Sequence, residues 1–160
     1  KGVTSAPTFG PERRGAPVTA STRISEEPIR MFSQVETADI GIVLDETLLG
    51  VVDVTGRVRK GGTIIINTCS KPEEAGIEGD FDVAVVDATG IAVKLRLTKE
   101  GAPLINTPML GAFAKATGIV SLANVEKALR GKLPAAAAAQ NFETVRAAYE
   151  GTVVTRKAQG

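Results

Sequence analysis

Histidine is absent from the 160 residues and cysteine occurs once, at Cys69. A Ser-His-Asp triad, an HExxH zinc site, a disulfide and a cysteine-ligated iron-sulfur cluster therefore cannot be built from this chain alone. Any metal or redox centre it serves must sit on a partner. No apolar run approaches the roughly 20 residues that span a bilayer, and nothing resembles a signal peptide, so the expectation is a cytoplasmic protein with no membrane partner. Charge of one sign is also missing: 19 basic residues face 18 acidic ones for a net charge of +1. The basic residues form no stripe interleaved with aromatics, which argues against a nucleic-acid partner.

With 43% hydrophobic residues, the chain can bury one sizeable core and is too short for two ordinary domains. The expectation is a single α/β domain over residues 1–150 and a patternless charged tail over 151–160, exposed or bound to a partner. The first residue is Lys1 rather than methionine, and Gly2 to Thr8 reads like the interior of a longer polypeptide.

Lys1 to Ala16 is rich in Gly, Pro, Ser, Thr and Arg without hydrophobic period, so it reads as loop. Val18, Ala20, Thr22 and Ile24 then alternate with Thr19, Ser21, Arg23 and Ser25, a half-exposed strand. Ile29 to Phe32 reads as its return strand, giving a β-hairpin. Ala38 to Leu44, Thr63 to Ile66 and Val83 to Val86 are apolar on both faces, as strands covered on both sides are. Helix-sized segments, Glu46 to Val54 and Ala88 to Leu97, alternate with them. The pattern predicts a three-layer α/β/α sandwich around a largely parallel, mixed sheet that includes the hairpin. Three helices follow: one capped by Thr107 with Pro108 at its first position and ended by Gly118, one capped by Ser121, and one over Ala135 to Glu150.

Asp45 and Asp87 each close an apolar strand, where open α/β sheets bind ligands and a carboxylate can meet a ribose hydroxyl. Each also precedes a helix-sized segment and can serve as its N-cap. No G-x-G-x-x-G turn precedes either. Asp80 and Asn106 are 26 residues apart, the spacing of a thiamine-diphosphate and magnesium motif. Phe81 stands where that motif needs glycine, and the motif is rejected. Asn67-Thr68-Cys69-Ser70 forms a polar lip at a strand's carboxyl end. Cys69 has no histidine to activate it and reads as a buried, inert thiol. Asn106-Thr107 either binds a phosphate through backbone N–H groups or caps the helix.

The stretch Phe9-Gly-Pro-Glu-Arg-Arg-Gly15 sets Arg13 and Arg14 in a glycine-bounded turn beginning at Gly10. Paired guanidinium groups so placed can hold an anion. A solvated turn partly neutralised by Glu12 is the plainer alternative.

That turn, the strand ending Arg23-Ile24, and Ile105-Asn-Thr-Pro-Met-Leu-Gly-Ala-Phe-Ala-Lys-Ala-Thr-Gly118 closely resemble the gamma subunit, or gamma domain, of 2-oxoacid:ferredoxin oxidoreductases such as pyruvate:ferredoxin oxidoreductase. The resemblance runs from about Pro7 to Tyr149, with Asp39 to Asp45, Gly62 to Asn67, Val85 to Ile91 and Ser121 to Leu129 in family order. The family's opening strand, Gly-Gly-Gln-Gly turn and helix have no counterpart in this sequence.

The resemblance implies a non-catalytic subunit of a complex that oxidatively decarboxylates a 2-oxoacid, pyruvate first, with 2-oxoglutarate, oxalate and others open. It implies alpha, beta and delta partner subunits or domains carrying thiamine diphosphate, Mg2+ and iron-sulfur clusters, and ferredoxin as electron acceptor. This chain would bind none of those cofactors by itself, and coenzyme A is a possible co-substrate. Gly10, Arg13, Arg14, Asn67, Thr68, Asn106 and Thr107 are then the candidate cofactor-binding residues. Arg13 and Arg14 suit the phosphates of coenzyme A or, equally, a partner's carboxylates. The competing reading is a free-standing nucleotide-binding or regulatory α/β module using Asp45, Asn67 and Thr107.

Overall fold

The computed structural model describes residues 2–8, 17–30 and 35–156. Its contacts divide at Thr37/Ala38 into two compact units, Lys1–Thr37 and Ala38–Gly160, where the sequence suggested one domain over 1–150.

The first unit is a two-stranded antiparallel ribbon. Strand β1 (Gly2–Thr8) pairs with β2 (Thr19–Ser25) from Gly2 opposite Ser25 to Thr8 opposite Thr19. The hairpin partner thus lies upstream, in the segment read as loop. Residues 28–30 carry no regular structure, and 31–34 lie outside the described residues. Ser, Ala and Thr give β1 too little apolar contrast for its period to be visible. Cross-strand pairing holds it instead, including a Thr22 hydroxyl donating to Ser5 Oγ at 3.2 Å.

The second unit carries a four-stranded sheet in the order β3 (Ala38–Val43), β4 (Val58–Asn67), β5 (Phe81–Val86), β8 (Val153–Thr155). The first three strands are parallel, and β8 is antiparallel to β5. This mixed sheet with its helices is the expected α/β class, but the hairpin is a separate two-stranded sheet and not part of it, and only one face carries α-helices, where helical layers on both were expected. The tail reading of 151–160 needs correction, because Val153–Thr155 is a strand. Three residues suffice there because Val83 to Val85 offer a ready edge, so tertiary pairing overrides a weak local pattern.

Ile64, Ile65 and Ile66 of β4 are completely buried. Alternation sends Ile65 to one face and its neighbours to the other. On the first face Ile65, Ala84 and Val86 pack with Ala88 of helix α1 (Ala88–Lys94), Met109, Ala112 and Ala116 of α2 (Asn106–Thr117) and Ala148 of α4 (Ala135–Gly151). Between α1 and α2 lies a small hairpin, β6 (Thr98–Lys99) with β7 (Ala102–Pro103). Small side chains let α2 and α4 approach closely: a Cβ on Gly111 would fall 2.1 Å from the Val145 carbonyl oxygen.

On the second face Val43, Ile64, Ile66, Phe81, Val83 and Val85 meet Leu48, Leu49, Val54, Ala75 and Ile77. This cover consists of short 3-10 turns, Glu46–Gly50, Thr55–Arg57 and Pro72–Glu74, and the segments beside them. The helix expected over Glu46 to Val54 is thus a single 3-10 turn followed by irregular chain. Gly50 and the β-branched Val51 and Val52 oppose helical propagation.

Helix α2 ends at Gly118 in the left-handed region, φ 66°, as a C-terminal glycine should. Its N-cap is Ile105, without a side-chain cap, not Thr107. The bond from Met109 N–H to the Ile105 carbonyl starts the helix early and places Thr107 and Pro108 inside the first turn. Ser121 caps α3 (Leu122–Lys132), accepting from Asn124 N–H at 3.2 Å. Among the described residues no helix is long and apolar enough to cross a membrane.

Candidate functional site

Parallel strands β3, β4 and β5 bring their carboxyl ends to one rim of the sheet. That rim gathers Asp45, Asn67, Thr68, Cys69 and Asp87, each at or within two residues of the end of its strand. Both aspartates are engaged as caps. Asp45 Oδ1 accepts from Thr47 N–H at 2.9 Å and the Thr47 hydroxyl at 2.7 Å, and Asp87 Oδ1 accepts from Gly90 N–H at 2.7 Å. The Thr47 hydroxyl and then its amide hold the Asp45 carboxyl below the usual range. The capping reading holds for both.

Asn67, almost wholly buried, is the joint of the rim. Its Nδ2 donates at 2.9 Å both to the Leu44 carbonyl beyond β3 and to Thr89 Oγ1 in α1. Its Oδ1 accepts from Thr89 N–H at 3.3 Å. One amide thus ties the ends of two strands to the start of a helix, and leaves little hydrogen-bonding capacity for a ligand. Thr68 is also buried. Its hydroxyl donates to Glu46 Oε2 and accepts from Ser70 N–H at 3.0 Å. Glu46 and Thr89 were not singled out in the sequence. The Asp-Ala-Thr-Gly run at 87–90 was the available signal for Thr89, since an Asp N-cap at 87 makes it the second helical residue.

A shallow cavity of about 290 Å³ opens here, lined by Glu46, Leu49, Ile66, Thr68, Ser70 and Glu74 among others. Two carboxylates in its wall make it a poor seat for phosphate. Cys69 is exposed, contrary to the expected burial. It follows the polar end of β4, where the chain has already left the covered sheet. The Asp87 carboxylate, some desolvation, an Asp87 hydrogen bond and Glu46 together push its thiol pKa up. It is a weak nucleophile for electrostatic reasons rather than because it is enclosed.

Asn106, exposed, and Thr107, buried, sit in the first turn of α2. Among the described residues no hydrogen bond links either to Asn67 or Thr68. Gly10, Arg13 and Arg14 lie outside the described residues. Asp80 is exposed at the entry to β5, its carbonyl accepting from Gly61 N–H at 2.7 Å. Among the described residues no group of three or more His, Cys, Asp or Glu could hold a metal ion. One cysteine cannot ligate an iron-sulfur cluster, which needs several thiolates.

The pyruvate ferredoxin/flavodoxin oxidoreductase family model matches residues 1–151. The chain is 44% identical over 158 residues to the pyruvate/ketoisovalerate oxidoreductases common subunit gamma of Thermococcus litoralis, covering 96% of this chain and 83% of that one. It is also 44% identical over 146 residues to the pyruvate synthase subunit PorC of Methanothermobacter marburgensis, covering 90% and 77%. Its fold is similar to the crystal structure of pyruvate oxidoreductase subunit PORC from Thermotoga maritima, with a TM-score of 0.77 and 32% identity over 96% of this chain and 82% of that one. The mixed sheet, its helical cover and these likenesses together place the chain in the pyruvate ferredoxin/flavodoxin oxidoreductase family, as a gamma subunit of an oxidoreductase complex.

Proposed function

We propose that this chain is the gamma subunit of a thiamine-diphosphate-dependent complex that oxidatively decarboxylates a 2-oxoacid, pyruvate first, and passes the electrons to ferredoxin. One observation carries the reading: a long match to gamma subunits in a chain with no histidine and one cysteine. Thiamine diphosphate, Mg2+ and the clusters then belong to alpha, beta and delta partners. This chain shapes the wall of the shared site. Gly10, Arg13 and Arg14 are assigned to the phosphates of coenzyme A. Asn67 and Thr68 position the rim, and the first turn of α2 at Asn106 and Thr107 supplies backbone donors.

The test is isolation of the native assembly under anaerobic conditions. Expected are larger co-purifying chains, the brown absorption of iron-sulfur clusters, and pyruvate-dependent reduction of ferredoxin that is lost when this chain is omitted from reconstitution. A colourless chain that never associates with such companions overturns the proposal.

A further inference from the structure

We draw no further inference here: the strongest candidate, the outer edge of β3, which pairs with no other described strand and leaves Ile42 and Leu44 half exposed, carries nothing because nothing in the structure shows what covers it.

Discussion

Asn67 and Thr89 exchange two hydrogen bonds, amide to hydroxyl at 2.9 Å and backbone N–H to amide oxygen at 3.3 Å. Replacing Asn67 with leucine keeps the approximate size and removes both, and it also strips the Leu44 carbonyl of its donor. Leu44 and Thr89 are exposed, so water takes up their freed groups and the cost is that of the lost hydrogen bonds, about 0.5–1.5 kcal/mol each. Asn67→Leu should therefore lower the urea midpoint of the isolated chain with little change in slope. A midpoint equal to that of the parent would show that the joint is not structural.

Gly111 meets the Val145 carbonyl where α2 crosses α4. Gly111→Ala gains helix propensity but drives a methyl into backbone that cannot swing aside. Overpacking of this kind costs about 1–3 kcal/mol, more than the roughly 1 kcal/mol that alanine gains over glycine in a helix. A fall in the thermal midpoint is expected, against a change within about 0.5 kcal/mol for the exposed Lys127→Ala. A Gly111→Ala chain that melts at or above the parent temperature would refute the close crossing.

Cys69 keeps its proton to higher pH than an ordinary thiol because the Asp87 carboxylate disfavours the thiolate. With the folded pKa raised above the unfolded one, the contribution to stability is complete below the unfolded value and is lost as pH rises through the folded value. Reaction with a small disulfide reagent should accelerate only on the alkaline side of the free-cysteine profile. Asp87→Asn keeps a capping side chain and should move that profile to lower pH. An unmoved profile would assign the slow reaction to something other than this charge.

Arg13 and Arg14 are assigned to coenzyme A by the proposed function. Charge-assisted hydrogen bonds contribute about 1.5–3 kcal/mol each, so replacing both with alanine in the assembled complex should weaken coenzyme A at least tenfold. Assembly, followed by gel filtration, should be unchanged. Lost assembly with unaltered coenzyme A affinity would move the pair to a subunit interface.

The sequence revealed most where one residue property dominated. Apolar runs located β3, β4 and β5, and Gly118 and Ser121 marked helix ends because left-handed backbone and side-chain capping have few substitutes. Asp45 and Asp87 were legible as caps for the same reason. What stayed hidden depended on distant chain. Strand β1 is recognisable only through its ladder with β2, and β8 only through the edge of β5. Thr107 looked like a cap because hydroxyl residues favour that place, yet the start of α2 is set at Ile105, whose carbonyl accepts from Met109 N–H. The sequence marks most of the rim's residues, but not that Asn67 commits its amide to Leu44 and Thr89. That commitment needs two strand ends and a helix start to meet, and no spacing encodes it.

The reversed direction of β8 has a practical bearing. Arg156 reaches Asp82 near the amino end of β5 at 3.4 Å, while Asn67 stands level with Val86 at the opposite end. Four residues of strand at about 3.3 Å each separate these levels by roughly 13 Å. A fluorophore on the molecule's sole thiol, Cys69, therefore senses events at one margin of the sheet only, and a second label substituted at Arg156 would give the complementary vantage at the other.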